Sequence, residues 1–448
     1  MPTGCDGTTA ALSRAPVWAA AVALAVTLHG RAAVAEPTRS LDECVAIALE
    51  RHPSLKSATA SIDAGQQRVW QAASNYLPQV NAAYSASRRN TSLSSSTGTS
   101  TGTAIGTVTR TFNFYSTGVN FSQVLFDFGQ TLASIRAAEA QVRSLEADRT
   151  TQQATVTLNV KQSYYGLLAA QHLAAVADEA VRQTQEHLRD ADVRFRVGLS
   201  AKFDVTNQQV QVANAQLNQV TARNNVAVGR ETLRNALGLD EPLTFDIVDS
   251  FEVRTVEVGE DEAVARAYQK RPELQSLHAR QRSADEQVVA LQRQYLPNIT
   301  SNGGYQWSGD TYPLQSTWNV GAAVNLPILS GGLTRAQIGE AKANLAKLQF
   351  DESQLRQNIA LEVREAVLGL QRAAESIRVS KTALGQANEN LDLAVGRYKT
   401  GVGNVLEVTD AQATHTTAQA NYVQALYGYD TSLAALEKAT AHSWIAGQ

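Results

Sequence analysis

Tyr76-Leu77-Pro78-Gln79-Val80 returns later in the chain as Tyr295-Leu296-Pro297-Asn298-Ile299, and this echo decides how the sequence is to be read. The prolines of the two stretches stand 219 residues apart (297 − 78). The same spacing joins His52-Pro53-Ser54-Leu55 to Arg271-Pro272-Glu273-Leu274, each pair of motifs following a short apolar-periodic run at 41–49 and 262–267. Further on the spacing falls to 203 and holds there. Leu125-Phe126-Asp127-Phe128-Gly129 aligns with Ile328-Leu329-Ser330-Gly331-Gly332, Arg194-Phe195-Arg196-Val197-Gly198 with Arg397-Tyr398-Lys399-Thr400-Gly401, and Asp204-Val205-Thr206 with Glu407-Val408-Thr409. A register kept over so many points marks a tandem duplication. The extra residues of the first copy fall between Pro78 and Leu125, where a Ser/Thr/Gly-rich stretch at 91–109 reads as a loop insertion.

Proline is absent from Gly129 to Gly198 and again from Leu333 to Gly401. Apolar residues recur there at steps of three and four, as Ile135, Ala138, Val142, Leu145 and Val156, with counterparts Ile338, Ala341, Leu345, Leu348 and Ile359. So narrow a stripe packs helix on helix in coiled-coil fashion. About 65 residues of helix span roughly 100 Å. A shorter returning helix is expected after each long one, over about 202–238 and 404–439.

Between the helical stretches the period changes to two. Phe112 and Phe114 alternate with Asn113, and Val119 and Phe121 with Asn120 and Ser122. In the second copy Trp318, Val320, Ala322, Val324 and Leu326 share one face, and Asn319, Gly321 and Asn325 the other. Alternation over about ten residues, with Tyr84, Tyr305, Trp307 and Trp318 near the ends, fits membrane-spanning strands. Each copy supplies one hairpin, four strands per chain. Since about eight strands are the minimum for a closed barrel, and bare sheet edges are intolerable in lipid, several chains must share the barrel.

Composition removes other classes. A formal net charge of −3 with scattered Lys and Arg offers no stripe for nucleic acid. Arg14, the apolar run 17–28 and Ala33-Val34-Ala35 read as a secretory leader with its cleavage site. No later run reaches the ~18–20 apolar residues of a membrane helix. Of two cysteines, Cys5 leaves with the leader, and Cys44 sits in an apolar-periodic stretch as a buried structural thiol, with no disulfide expected. The histidines are dispersed, with no H-E-x-x-H or C-x-x-C spacing, so no catalytic residue, metal site or cofactor is expected and the chain reads as non-enzymatic.

A leader, tandem copies, two hairpins and two very long helix pairs together resemble the TolC family of outer-membrane efflux and secretion channels, over about 41–439. The resemblance implies an α+β membrane protein: a homotrimer whose long helices form an α-barrel continuous with a 12-stranded transmembrane β-barrel, in the outer membrane of a Gram-negative bacterium and reaching into the periplasm. On this reading the leader is 1–35. The first repeat is 36–250, with strands at 79–89 and 111–126 and a long helix at 130–196. The second is 251–440, with strands at 298–307 and 316–327 and a helix at 333–399, leaving a tail at 441–448. The implied function is a passive export duct with a periplasmic gate, in a tripartite efflux or type I secretion system. Its implied partners are a periplasmic adaptor (membrane fusion protein), an inner-membrane ABC or proton-driven transporter, and outer-membrane lipid.

In such channels a Val-Gly-Leu tip contacts the adaptor, which Val197, Gly198 and Leu199 match; Ser200, Thr400, Gly401 and Val402 complete the paired tips. The gate by position is Tyr398 paired with Asp204, with Glu407 and Asp410 forming acidic rings. The family's gate arginine falls at Gly403, and Arg397 or Lys399 are the substitutes at hand. The rivals are a periplasmic coiled-coil adaptor, which would need a single hairpin and a lipoyl-like domain, and a secreted filament subunit, which would assemble without lipid.

Overall fold

The computed structural model describes residues 38–99, 102–249, 251 and 258–442; the expected leader and all but the first two residues of the expected tail lie outside the described residues. A two-residue strand β1 (Thr38–Arg39) leads into α1 (Leu41–Arg51) and α2 (Pro53–Ala73). Ser40 opens α1 with a capping box: the Glu43 amide donates to its hydroxyl, and its own amide donates to the Glu43 carboxylate at 3.1 Å. Pro53 at the first position of α2 lacks the amide that α1 would need to continue, so the chain turns at His52, whose Nδ1 accepts from the Ser54 amide at 3.2 Å.

The hairpin β2 (Gln79–Thr99) and β3 (Gly102–Phe126) follows, then α3 (Gln130–Arg196), α4 (Lys202–Ala236) and β4 (Asp246–Ile247), which pairs with β1. The second copy runs through α5 (Glu260–Lys270), α6 (Pro272–Arg293), β5 (Asn298–Gly309), β6 (Gln315–Asn325), α7 (Leu333–Lys399) and α8 (Val405–Thr440). Helices α3 and α7 are both 67 residues long and begin 203 positions apart (333 − 130). The two cores are copies as well. Cys44, Ala48, Leu55, Val156, Val160, Leu167 and Leu233 form one, and their counterparts Ala263, Ala267, Leu274, Ile359, Val363, Leu370 and Leu436 the other. Burial pushes the Cys44 thiol up to about 11, so it stays protonated and packs as a small apolar side chain.

The long helices do not pack quite as the stripe suggests. The deepest side of upper α3 is small: Ala133, Ala137, Ala140, Ser144 and Ala147 are buried, while Ile135, Val142 and Leu145 are half-buried. The small side faces α6, where Ser283 Oγ donates to the Ala137 carbonyl at 2.8 Å and Arg280 Nε to Ser144 Oγ at 3.2 Å. Leu145 and Val142 instead meet α2 across Gly65. Small side chains let two helices approach closely, so the residues buried deepest are not the largest.

The sheet has the order β2-β3-β5-β6, all antiparallel, with β2 and β6 as unpaired edges among the described residues. One rung of the register reads Ala82-Val119-Tyr305-Trp318, the next Tyr84-Thr117-Trp307-Ser316, so the aromatics share one face at one height. The opposite face carries Asn81-Asn120-Gly304-Asn319 and Ser85-Ser116-Ser308-Gln315. One side suits lipid and the other water. The loop expected at 91–109 is absent: β2 and β3 stay paired through Thr99 and Gly102, while β5 reaches only Tyr115. No proline interrupts residues 79–126, threonine favours extended backbone, and a ladder needs no apolar side chains. The hairpin therefore projects beyond its neighbours as a two-stranded ribbon.

Candidate functional site

The end of the helical body opposite the sheet gathers the residues expected to form a gate and docking tips. Helix α3 stops at Val197 because Gly198 takes a left-handed φ of 79°, letting the Gly198 amide donate to the Phe195 carbonyl at 3.0 Å and the Leu199 amide to the Arg194 carbonyl at 2.8 Å. Helix α7 stops in the same way. Gly401 has φ 77°, its amide donates to the Tyr398 carbonyl at 3.2 Å, and the Val402 amide donates to the Arg397 carbonyl at 3.0 Å. This geometry leaves Val197, Leu199, Val402 and the nearby Phe203 exposed, with relative exposures of 63 to 75%. Thr400 Oγ1 donates back to the Gly396 carbonyl at 3.2 Å, and Ser200 Oγ to the Ala191 carbonyl at 3.5 Å. All four lie on or beside the two helix turns at this end of the chain.

Above the turns, α3 of the first copy meets α7 of the second. The Arg194 guanidinium lies over the Tyr398 ring, 4.4 Å from its centroid, and Arg194 Nη2 donates to the Lys399 carbonyl at 3.4 Å. The expected bond between Tyr398 and Asp204 is not made. The Tyr398 hydroxyl is buried without a hydrogen-bond partner, and Asp204, half-buried at the start of α4, reaches it only through its charge. Burial is the main cause raising the Tyr398 hydroxyl above its ordinary pKa; the Arg194 charge works against it and the Asp204 charge with it.

The second copy holds its own arginine differently. Arg397 Nε donates to Glu407 Oε2 at 3.2 Å, and Asn404 caps α8 by accepting the Glu407 amide at 2.9 Å. A side chain at Gly403 would collide with this arrangement, since a Cβ built there lies 3.0 Å from Arg397 Cβ and 3.1 Å from Glu407 Oε2. The space of the absent arginine is thus already taken by the Arg397–Glu407 pair. Asp410, one turn further along α8, is exposed.

A polar layer behind the tip escaped sequence reading. Gln208 of α4 donates to Thr409 Oγ1 at 3.0 Å, Gln412 of α8 donates to Gln183 Oε1 of α3 at 2.5 Å, and His415 is buried beside them. Burial holds His415 below the usual histidine pKa. The available signal was glutamine at inward-facing positions of a heptad stripe. No three His, Cys, Asp or Glu side chains among the described residues are grouped to hold a metal ion, and no described helix is long and apolar enough to cross a membrane.

The sequence matches the outer membrane efflux protein family over residues 45–239 and 263–442. Outer membrane protein TolC of Vibrio cholerae serotype O1 is 24% identical over 407 residues, covering 88% of each chain. Protein CyaE of Bordetella pertussis is 28% identical over 402 residues, covering 86% of this chain and 80% of that one. The crystal structure of the Campylobacter jejuni CmeC outer membrane channel shares the fold, with a TM-score of 0.76 at 19% identity over 89% of this chain and 85% of that one.

Proposed function

The chain belongs to the outer membrane efflux protein family, and from that premise we propose that it is the outer-membrane duct of a tripartite export machine, closed by a gate at its periplasmic tip. The observation that carries this reading is the four-stranded sheet with two open edges, mounted on helices of 67 residues. Lipid strands the hydrogen-bonding groups of an open edge at several kcal/mol each, so the edge of β6 must find β2 of another copy. Three copies give twelve strands, the assembly of the channels the chain resembles. With the aromatic face turned to lipid, the Asn/Ser/Gln face lines a water-filled pore. The helices continue that pore for roughly 100 Å, on the scale of a periplasmic crossing.

At the far end, the exposed Val197, Leu199, Phe203 and Val402 offer apolar anchors to a periplasmic adaptor, and the turn glycines hold them outward. Ser200, Thr400 and Gly401 shape the same surface. Tyr398 with Asp204, and Glu407 with Asp410, stand where the helices converge, and gathered carboxylates there favour cations. The duct performs no chemistry: the inner-membrane pump, whether ABC or proton-driven, chooses the cargo. The test is purification from outer membrane in detergent, with mass measurement and single-channel recording. A heat-resistant particle of three chains that conducts in planar bilayers is expected. A stable single chain that stays soluble without detergent would end the proposal.

A further inference from the structure

The four long strands carry no acidic residue, and their only charged side chains are Arg88, Arg89 and Arg110. All three stand at the end of the sheet remote from the helices, just past Tyr115 on Gly309, the last rung that β3 shares with β5. Strand parity divides them between the two faces. Arg88 follows Tyr84 and Ala86 on the aromatic side. Arg89 follows Ser85 and Ser87 on the polar side, and Arg110 shares that side with Phe112, Phe114 and Ser116. Below Arg89 the polar face is uncharged for the whole height of the four-stranded part.

On the polar face both arginines lie on phenylalanine rings. Arg89 stands opposite Phe112 in the register, and its guanidinium lies over Phe114, 4.0 Å from the ring centroid, with Nε donating to Ser87 Oγ at 3.3 Å. The Arg110 guanidinium lies over Phe112, 5.4 Å from the centroid, and its Nη2 donates to Asp310 Oδ2 at 2.8 Å. Stacking uses the flat of a guanidinium and leaves its in-plane N–H groups free to donate. Asp310 takes up the Arg110 charge, whereas Arg89 meets no carboxylate among the described residues. Phe112 and Phe114 are only half-buried, so part of each ring remains uncovered.

We propose that Arg89, Phe112 and Phe114 form a collar at the outer mouth of the duct that binds small aromatic carboxylates. This rests on the shared barrel proposed above, which turns the polar face inward, so that each copy adds its arginine and rings to one pore. A carboxylate accepts two parallel bonds from the guanidinium fork, and an aromatic ring attached to it stacks against phenylalanine. An inorganic anion uses only the first contact, and an aliphatic acid gains no stacking from the second. The phosphates of lipid would need cations on the aromatic face, where Arg88 stands alone. An ion pair so exposed to water is weak. Weak binding suits an exit, because an anion held tightly there would plug the pore instead of leaving it.

The test is reversible block of single-channel current in planar bilayers, with naphthoate as the aromatic probe and cyclohexanecarboxylate as an aliphatic probe of equal charge. Naphthoate should block at the lower concentration. Arg89→Gln should raise its half-blocking concentration about fivefold, the scale of one exposed ion pair. Arg89→Lys keeps the charge but loses the fork, so it should give an intermediate value, and it serves as the variant should Arg89→Gln disturb assembly. Phe112→Leu with Phe114→Leu should bring the two probes level, and Arg88→Gln, on the other face, should alter neither. A conducting particle that naphthoate blocks no better than cyclohexanecarboxylate, or whose block survives both changes at Arg89, overturns the collar and leaves the duct standing. Block lost with Arg88→Gln instead would put the site on the lipid side and overturn it as well. A particle that does not conduct takes away the duct, and the collar with it.

Discussion

An alanine methyl at Gly403 would press on Arg397 Cβ and on the Glu407 carboxylate, moving the stem that aims the Arg397 guanidinium. Gly403→Ala is therefore expected to raise conductance in planar bilayers, without any change in charge. Glu407→Gln with Asp410→Asn removes the carboxylates proposed for the constriction and should weaken block by divalent cations; unaltered block would dissociate these residues from the pore. A different titration lies far from the tip. Asp430 is 6% exposed and burial pushes its carboxyl up to about 7. The folded state then favours the neutral form, so Asp430 contributes stability that is fully present at low pH and lost as pH rises through about 7. The thermal midpoint should fall between about pH 5 and about pH 8, and Asp430→Asn should flatten that fall. The tip glycines were legible because a left-handed residue ends a helix in a recognisable pattern. The seat of Arg194 was not, since which ring a guanidinium reaches depends on how two distant helices converge.

Among the elements, the hairpin of β2 and β3 departs furthest from its sequence reading. Alternation of apolar and polar residues located its lower part, where one face is aromatic and apolar and the other polar. The alternation runs on through Phe112 and Phe114 and stops in the Ser/Thr/Gly-rich stretch beyond, whose composition mimics a loop although the backbone remains paired. A lone two-stranded ribbon adds little to the stability of the sheet below. Replacing residues 93–108 by an Asn-Gly turn should leave the heat-resistant oligomer intact, as read on an unheated denaturing gel. Loss of the oligomer would mean that the ribbon takes part in closing the barrel. The helical stripe was legible in period and ambiguous in depth. Val142 and Leu145 mark the seam with α2, whereas the Ala137 and Ser144 side that meets α6 carries too little apolar contrast to stand out.

On the scale of the whole molecule, the duplication was the most legible feature, because paired prolines and glycines mark chain reversals that packing cannot disguise. What a single copy could not reveal is how the two differ where they matter: Tyr398 against Phe195, Glu407 against Asp204, Lys347 against Ser144. Helices α3 and α7 have equal length, matched entry and exit turns and matched cores, and each half holds the other through the β3–β5 ladder and the α3–α6 seam. Only the connection between Phe251 and Glu260 makes them one polypeptide. A gene interrupted there and expressed as two open reading frames should still yield a conducting complex, with twice as many pieces as the uncut assembly. Mutations confined to either fragment could then be shuffled independently, turning an inherited tandem into a kit for building unequal rings.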